Sequence, residues 1–184
     1  MALRVCAAYR CCLSPVECLL MAETELVPTG CITRRGRPAF VVNVEVFLHR
    51  GERWLLIKRS EQEAHAAGLL GGVGGKVEAD GAEVDVLEET GRREVLEEIG
   101  VDLTGVQLSY VESGSFVTDD GDPVVNVVFS GALPAGARPV VASPREVAEI
   151  VWLTVAEAAA DPDCPRWTLR SLRRAAQSRA TRDS

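Results

Sequence analysis

Apolar and β-branched residues gather in short runs that predict strands in the first half of the chain. "AFVVNVEVFLHR" (39–50) is one, and "RWLLIKRS" (53–60) reads as its returning partner across a turn at Gly51–Glu52. "GLLGGVGGKVE" (68–78) follows, a glycine-rich loop with five glycines in its first eight positions. The pattern then turns helical from about Val84 to Ile99, with Gly100 as a stop signal. "VQLSYVESGSFV" (106–117) and "PVVNVVFSGAL" (123–133) predict two further strands, separated by the acidic loop "TDDGD" (118–122). "EIVWLTV" (149–155) is another strand, and a helix starts within 154–160. A last helix, 164–180, carries Leu169, Leu172 and Ala176 on one face. Strands alternate with helices, without an internal repeat or a dividing linker. The expectation is one α/β (α+β) domain.

The helix over 84–99 holds the unusual feature. Glu94 shares a face with both Glu97 and Glu98, and like charges at that spacing cost about 0.2–0.5 kcal/mol per pair. A solvated acidic face is the ordinary fate of such a run. The alternative is a hard-cation site, since magnesium takes oxygen ligands and pairs a few carboxylates with substrate phosphates. The flanks favour the second reading. Glycine-rich backbone can approach a phosphate or metal closely, and here it leads into Lys76 about ten residues before the acidic helix. No Gly-Lys-Ser/Thr follows, so this is no Walker loop. A dinucleotide fingerprint is disfavoured too, because the acidic helix would repel a bare pyrophosphate.

Composition changes the picture in three places. Net charge is −7, which argues against general nucleic-acid binding; between Lys76 and Glu98 nine acids face three bases. Four of six cysteines (Cys6, Cys11, Cys12, Cys18) crowd the first eighteen residues, in neither a disulfide framework nor a zinc pattern. Arg10 and Glu17 interrupt the apolar residues there, so no signal-peptide core is present, and no run of eighteen apolar residues predicts a membrane span. Residues 1–20 therefore read as an unstructured extension or a mis-assigned start. "MAETELVPTG" from Met21 looks like an ordinary beginning, and the expected compartment is cytoplasmic. Residues 21–37 read as a lead-in and 177–184 as a basic tail. The six arginines from Arg166 to Arg182 read as a solvated helix face rather than a nucleic-acid surface.

"GGKVEADGAEVDVLEETGRREVLEEIGV" (74–101) resembles the Nudix box, G-x5-E-x7-R-E-U-x-E-E-x-G-U, with U a bulky apolar residue. Arg93, Glu94, Val95, Glu97, Glu98, Gly100 and Val101 match its second half throughout. The first half departs: Gly75 to Arg93 spans 18 positions where the pattern has 14, so four residues are inserted near "ADGAEV". Either Asp85 or Glu83 then fills the first acidic position. The likeness covers residues 38–176. It implies an α/β/α sandwich around a mixed sheet and a metal-dependent hydrolase of nucleoside diphosphates linked to another moiety. On that likeness Glu94, Glu97 and Glu98, with the Gly74 carbonyl, would bind Mg²⁺ or Mn²⁺. Glu97, Glu98 and Arg93 would carry catalysis, Arg93 by orienting the carboxylates, while Gly75 and Lys76 would meet phosphate. A general base would be a box glutamate or one of Glu112, Asp119, Asp120, Glu146 and Glu149.

Markers of several Nudix subfamilies are missing, which leaves a MutT-like nucleoside triphosphate pyrophosphatase by elimination. The alternatives are a catalytically weak domain that senses a nucleotide or nucleotide sugar, and an isomerase on the same fold. Phe47, Phe116, Phe129 and Trp152 are expected in the core, His49 and His65 on the surface. Asn126 is expected to satisfy a backbone group rather than a base edge. The expected partner is a nucleotide or similar small molecule, with no membrane; the oligomeric state is open, a homodimer being one option.

Overall fold

A computed structural model describes residues 39–63, 65–78 and 84–182. The fold described here is that of the unit Phe40–Ser184. Residues 1–38, Glu83 and the rest of 79–83, where the extra residues fall, lie outside the described residues.

Among the described residues seven strands form one mixed sheet: β1 (Val41–Arg50), β2 (Arg53–Arg59), β3 (Leu70–Gly71), β4 (Val73–Lys76), β5 (Ser109–Val117), β6 (Pro123–Ala132) and β7 (Val147–Leu153). Three helices among the described residues flank the sheet: α1 (Val86–Ile99), α2 (Val155–Ala160) and α3 (Arg166–Arg182). The parallel pairing is between β1 and β6; the other pairings are antiparallel. β1 and β2 pair only near their hairpin, from Leu48↔Leu55 to Arg50↔Arg53. Beyond it β3 bonds to β2 and β4 to β1, so the glycine-rich segment spans the opening between the two strands.

Alternation explains the layers. Val44, Val46 and Leu48 of β1, with Leu55 and Ile57 of β2, join Val95 and Ile99 of α1 in one core. The intervening Phe47, Trp54 and Leu56 join Leu172 and Ala175 of α3 and Ala158 of α2 in the other. Strands covered on both faces need apolar residues at successive positions, as the sequence of β1 and β2 has. The result is the expected α/β/α sandwich. Its buried apolar side chains each contribute on the order of 1.5–3 kcal/mol.

The predicted elements recur with ends shifted by a few residues. Gly100 takes φ 67° and closes α1, its N–H donating to the Leu96 carbonyl. Thr154 caps α2 through a reciprocal pair of bonds with Glu157. Helix α3 runs through Arg182 and so takes in most of the segment from 177 that reads as a tail in the sequence. The glycine-rich stretch is the real departure, because it is mostly strand rather than loop. A Cβ on Gly74 would overlap the Val44 carbonyl oxygen, and one on Gly75 would overlap the Glu94 carboxylate. These glycines let a strand and a carboxylate approach closely, which is a recognised reason for glycine within a strand.

Candidate active site

Helix α1 packs along β4, and this contact builds one wall of a cleft. A cavity of about 530 Å³ opens there, reaching from α1 across the sheet to the start of α3. Every site residue expected from the sequence lines it: Gly74, Gly75, Lys76, Arg93, Glu94, Glu97 and Glu98. The helical spacing that raised the question does bring the three glutamates to one cavity.

Arg93 organises them. Its guanidinium reaches Glu94 at 2.7 Å and Glu97 at 2.9 Å, and donates to the Lys76 carbonyl at 3.2 Å. Asp85, one of the two candidates for the first acidic position, takes φ 52° at the N-terminus of α1 and makes no side-chain cap bond. Glu88 and Glu89 lie in the first turn, Glu89 paired with Arg92, and neither lines the cavity.

Glu98 differs from its neighbours. It is 4% exposed, accepts from the Gly74 N–H at 3.3 Å, and its second carboxylate oxygen is buried without a partner. Burial, reinforced by the nearby charge of Glu94, pushes its carboxyl up to about 8. Burial also raises Glu94, against the pull of Arg93. No three acidic, histidine or cysteine side chains among the described residues yet stand as a ready-made cation cage. Glu94 and Glu97 are both paired with Arg93. The donor set is nonetheless all oxygen, and one buried oxygen awaits a partner, which suits a hard divalent ion.

The general-base candidates separate. Asp119, Asp120 and Glu146 line the cavity. Glu112 does not: it is buried against α3, bound to Ser171 at 2.7 Å and Arg174 at 2.7 Å. Glu149 lies on β7 away from the cleft. Phe116, expected in the core, lies instead at the cavity, while the His65 side chain is partly exposed, as expected of a surface residue. Phe116 is 39% exposed and His65 stacks on it, centroids 5.6 Å apart, and both line the cavity. Glu45 was not anticipated at all; it opens into the cleft from β1, where an isolated acid among valines gave little signal.

The family model of the NUDIX domain matches residues 39–173. A MutT NUDIX hydrolase from Burkholderia pseudomallei is 23% identical, covering 73% of this chain and 96% of its own, with TM-score 0.59. The MutT protein from Methanosarcina mazei Go1 is 22% identical over 76% and 95% of the two chains, with TM-score 0.62. The NUDIX domain of Shewanella oneidensis NrtR, solved with ADP ribose, is 18% identical over 90% and 99%, with TM-score 0.63. No curated protein matches significantly. The chain belongs to the NUDIX family.

Proposed function

We propose that the protein hydrolyses a nucleoside diphosphate linked to another moiety, with a divalent cation, as a MutT-like nucleoside triphosphate pyrophosphatase. The observation that supports this most is the wall where Glu94 and Glu98 lie against Gly75 and Gly74, with a buried Glu98 oxygen left unpartnered. Glu94, Glu97, Glu98 and the Gly74 carbonyl would hold Mg²⁺ or Mn²⁺. Such an ion, when bound, supplies a Lewis acid for diphosphate oxygens and lowers the pKa of bound water.

The chain's own groups have separable tasks. Arg93 fixes the direction of Glu94 and Glu97 while itself tied to the β4 backbone at Lys76. Lys76 is exposed at the cavity margin, where its ammonium can meet a phosphate as a point charge. As a ligand Glu98 would have to give up its proton, so its raised pKa would couple ion binding to pH.

The test is release of phosphate or pyrophosphate from a panel of nucleotides with Mg²⁺ or Mn²⁺, in wild type and in Glu97→Gln and Glu98→Gln. Each substitution is expected to lower kcat by about 100-fold or more. A second reading is ligand binding without turnover, in keeping with the NUDIX domain solved with ADP ribose. Tight binding across the panel without hydrolysis would favour it.

A further inference from the structure

On the sheet face under α3, the cavity floor carries three polar side chains where strands usually carry apolar ones. Asn43 of β1 lies directly opposite Asn126 of β6, and Glu45 stands two residues further along the same face. Asn43 donates to the Asn126 side-chain oxygen at 2.8 Å, Asn126 donates to Glu45 at 3.2 Å, and the other Glu45 oxygen accepts from the Gly72 N–H at 2.8 Å. All three residues line the cavity.

The chain of bonds has a direction. Glu45 accepts at both oxygens, so the Asn126 amide must turn its NH₂ toward it. That leaves the Asn126 carbonyl for Asn43, which in turn must present its NH₂ there. After these bonds Asn43 retains a carbonyl acceptor and one N–H, and Asn126 one N–H, at the edge of an open cavity. An array needed only to satisfy backbone groups would leave no such set facing a cleft; the bonds made here run from side chain to side chain, ending on a single backbone N–H.

The surroundings suit a flat ligand. Gly114 of β5 lies opposite Asn126, so no side chain covers the amide from that strand. Phe116 stands two residues along on the same face, opposite Val124, with His65 stacked on it. An aromatic wall beside a floor of oriented donors and an acceptor is how proteins hold a heterocycle by its face and read it by its edge.

We infer that Asn43 and Asn126, oriented by Glu45, form a nucleobase-reading floor, with Phe116 as its stacking wall. This rests on the nucleotide reading above and names the group that decides specificity within it. The purchase on the base is separate from the carboxylates of α1, so it affects KM and discrimination rather than the chemical step.

The experiment has two arms. In the first, kcat and KM are measured for ATP, GTP, CTP, UTP and the baseless inorganic tripolyphosphate, in wild type, Asn43→Ala, Asn43→Asp, Asn126→Ala and Phe116→Ala. Asn43→Ala and Asn126→Ala should raise KM for the preferred nucleotide about tenfold, with kcat nearly unchanged and tripolyphosphate unaffected. Asn43→Asp, which exchanges a donor for an acceptor, should change the ranking of bases. Phe116→Ala, at an exposed position, should weaken all four nucleotides alike. In the second arm, equilibrium binding of the four nucleoside monophosphates is compared in the same proteins, with thermal melts to establish folding. This arm decides even where no substrate turns over: inactivity of the wild type would sink the hydrolase reading alone. An unchanged base ranking in folded Asn43→Asp, together with undiminished monophosphate affinity in Phe116→Ala, would overturn the floor.

Discussion

Glu98 concentrates the physical tension of the molecule in one side chain. Its carboxyl is raised to about 8, so in the metal-free protein it is largely neutral at pH 7. An acid whose folded pKa is raised stabilises the fold most at low pH, below its ordinary value near 4.5. That contribution is lost as pH rises through the folded value. Metal-free wild type should therefore lose on the order of 4 kcal/mol between pH 5 and pH 8.5 relative to Glu98→Gln, read from denaturant midpoints at each pH. Apparent Mg²⁺ affinity should move the opposite way, rising with pH over the same range in wild type and staying flat in the variant. Parallel stability profiles for the two proteins would show that burial does not hold the Glu98 proton. The identity of this residue was legible in the sequence from the i, i+3 and i, i+4 spacing. Its distinction from Glu97 was not, because periodicity assigns a face of the helix and cannot say which member of that face lies beneath β4. Glu97 remains exposed, while Glu98 meets the Gly74 N–H.

At the scale of elements, the meeting of β4 and α1 carries the site, and two adjacent glycines divide its demands. Gly74 lies against backbone: a methyl there meets the Val44 carbonyl and must part β4 from β1. Gly75 lies against the Glu94 carboxylate, the far end of a side chain held by Arg93. Gly74→Ala should thus cost about 3 kcal/mol or more of stability. Gly75→Ala should cost about 1 kcal/mol yet lower kcat by about tenfold or more, by displacing Glu94. Chemical denaturation beside steady-state kinetics separates the two, and equal stability losses would refute the division. Most strands and all three helices could be read from residue runs, caps and the stop at Gly100. The glycine-rich segment could not be read as strand, because strand propensity resides in side chains that these residues lack. What makes it strand is the open edge of β1 and β2, a tertiary fact. Phe116 is placed in the core by its sequence for a related reason. Alternation shows that it shares a face with buried residues, but not that α3 stops short of covering that end of the sheet.

For the molecule as a whole, the two faces of the sheet carry different helices, and α3 determines how the second face is shared between core and cleft. Leu172 and Ala175 of α3 close the core, while Trp167 and Thr168 from its first turn line the cavity. The helix is held over β5 by Glu112, which is 6% exposed and meets Ser171 at 2.7 Å, Arg174 at 2.7 Å and Arg170 at 3.5 Å. The arginines are themselves well exposed, so removing either leaves Glu112 a partner, whereas removing the buried charge leaves the helix without its anchor. Arg170→Ala and Arg174→Ala should each cost under about 1 kcal/mol, and Glu112→Gln about 1–3 kcal/mol, in urea denaturation. Because the first turn of α3 borders the cleft, Glu112→Gln should also raise KM for the nucleotide without lowering kcat, since the carboxylates of α1 sit on the opposite core and keep Arg93. A loss of kcat equal to the rise in KM would mean that the two faces are coupled, and that the chemistry also depends on α3.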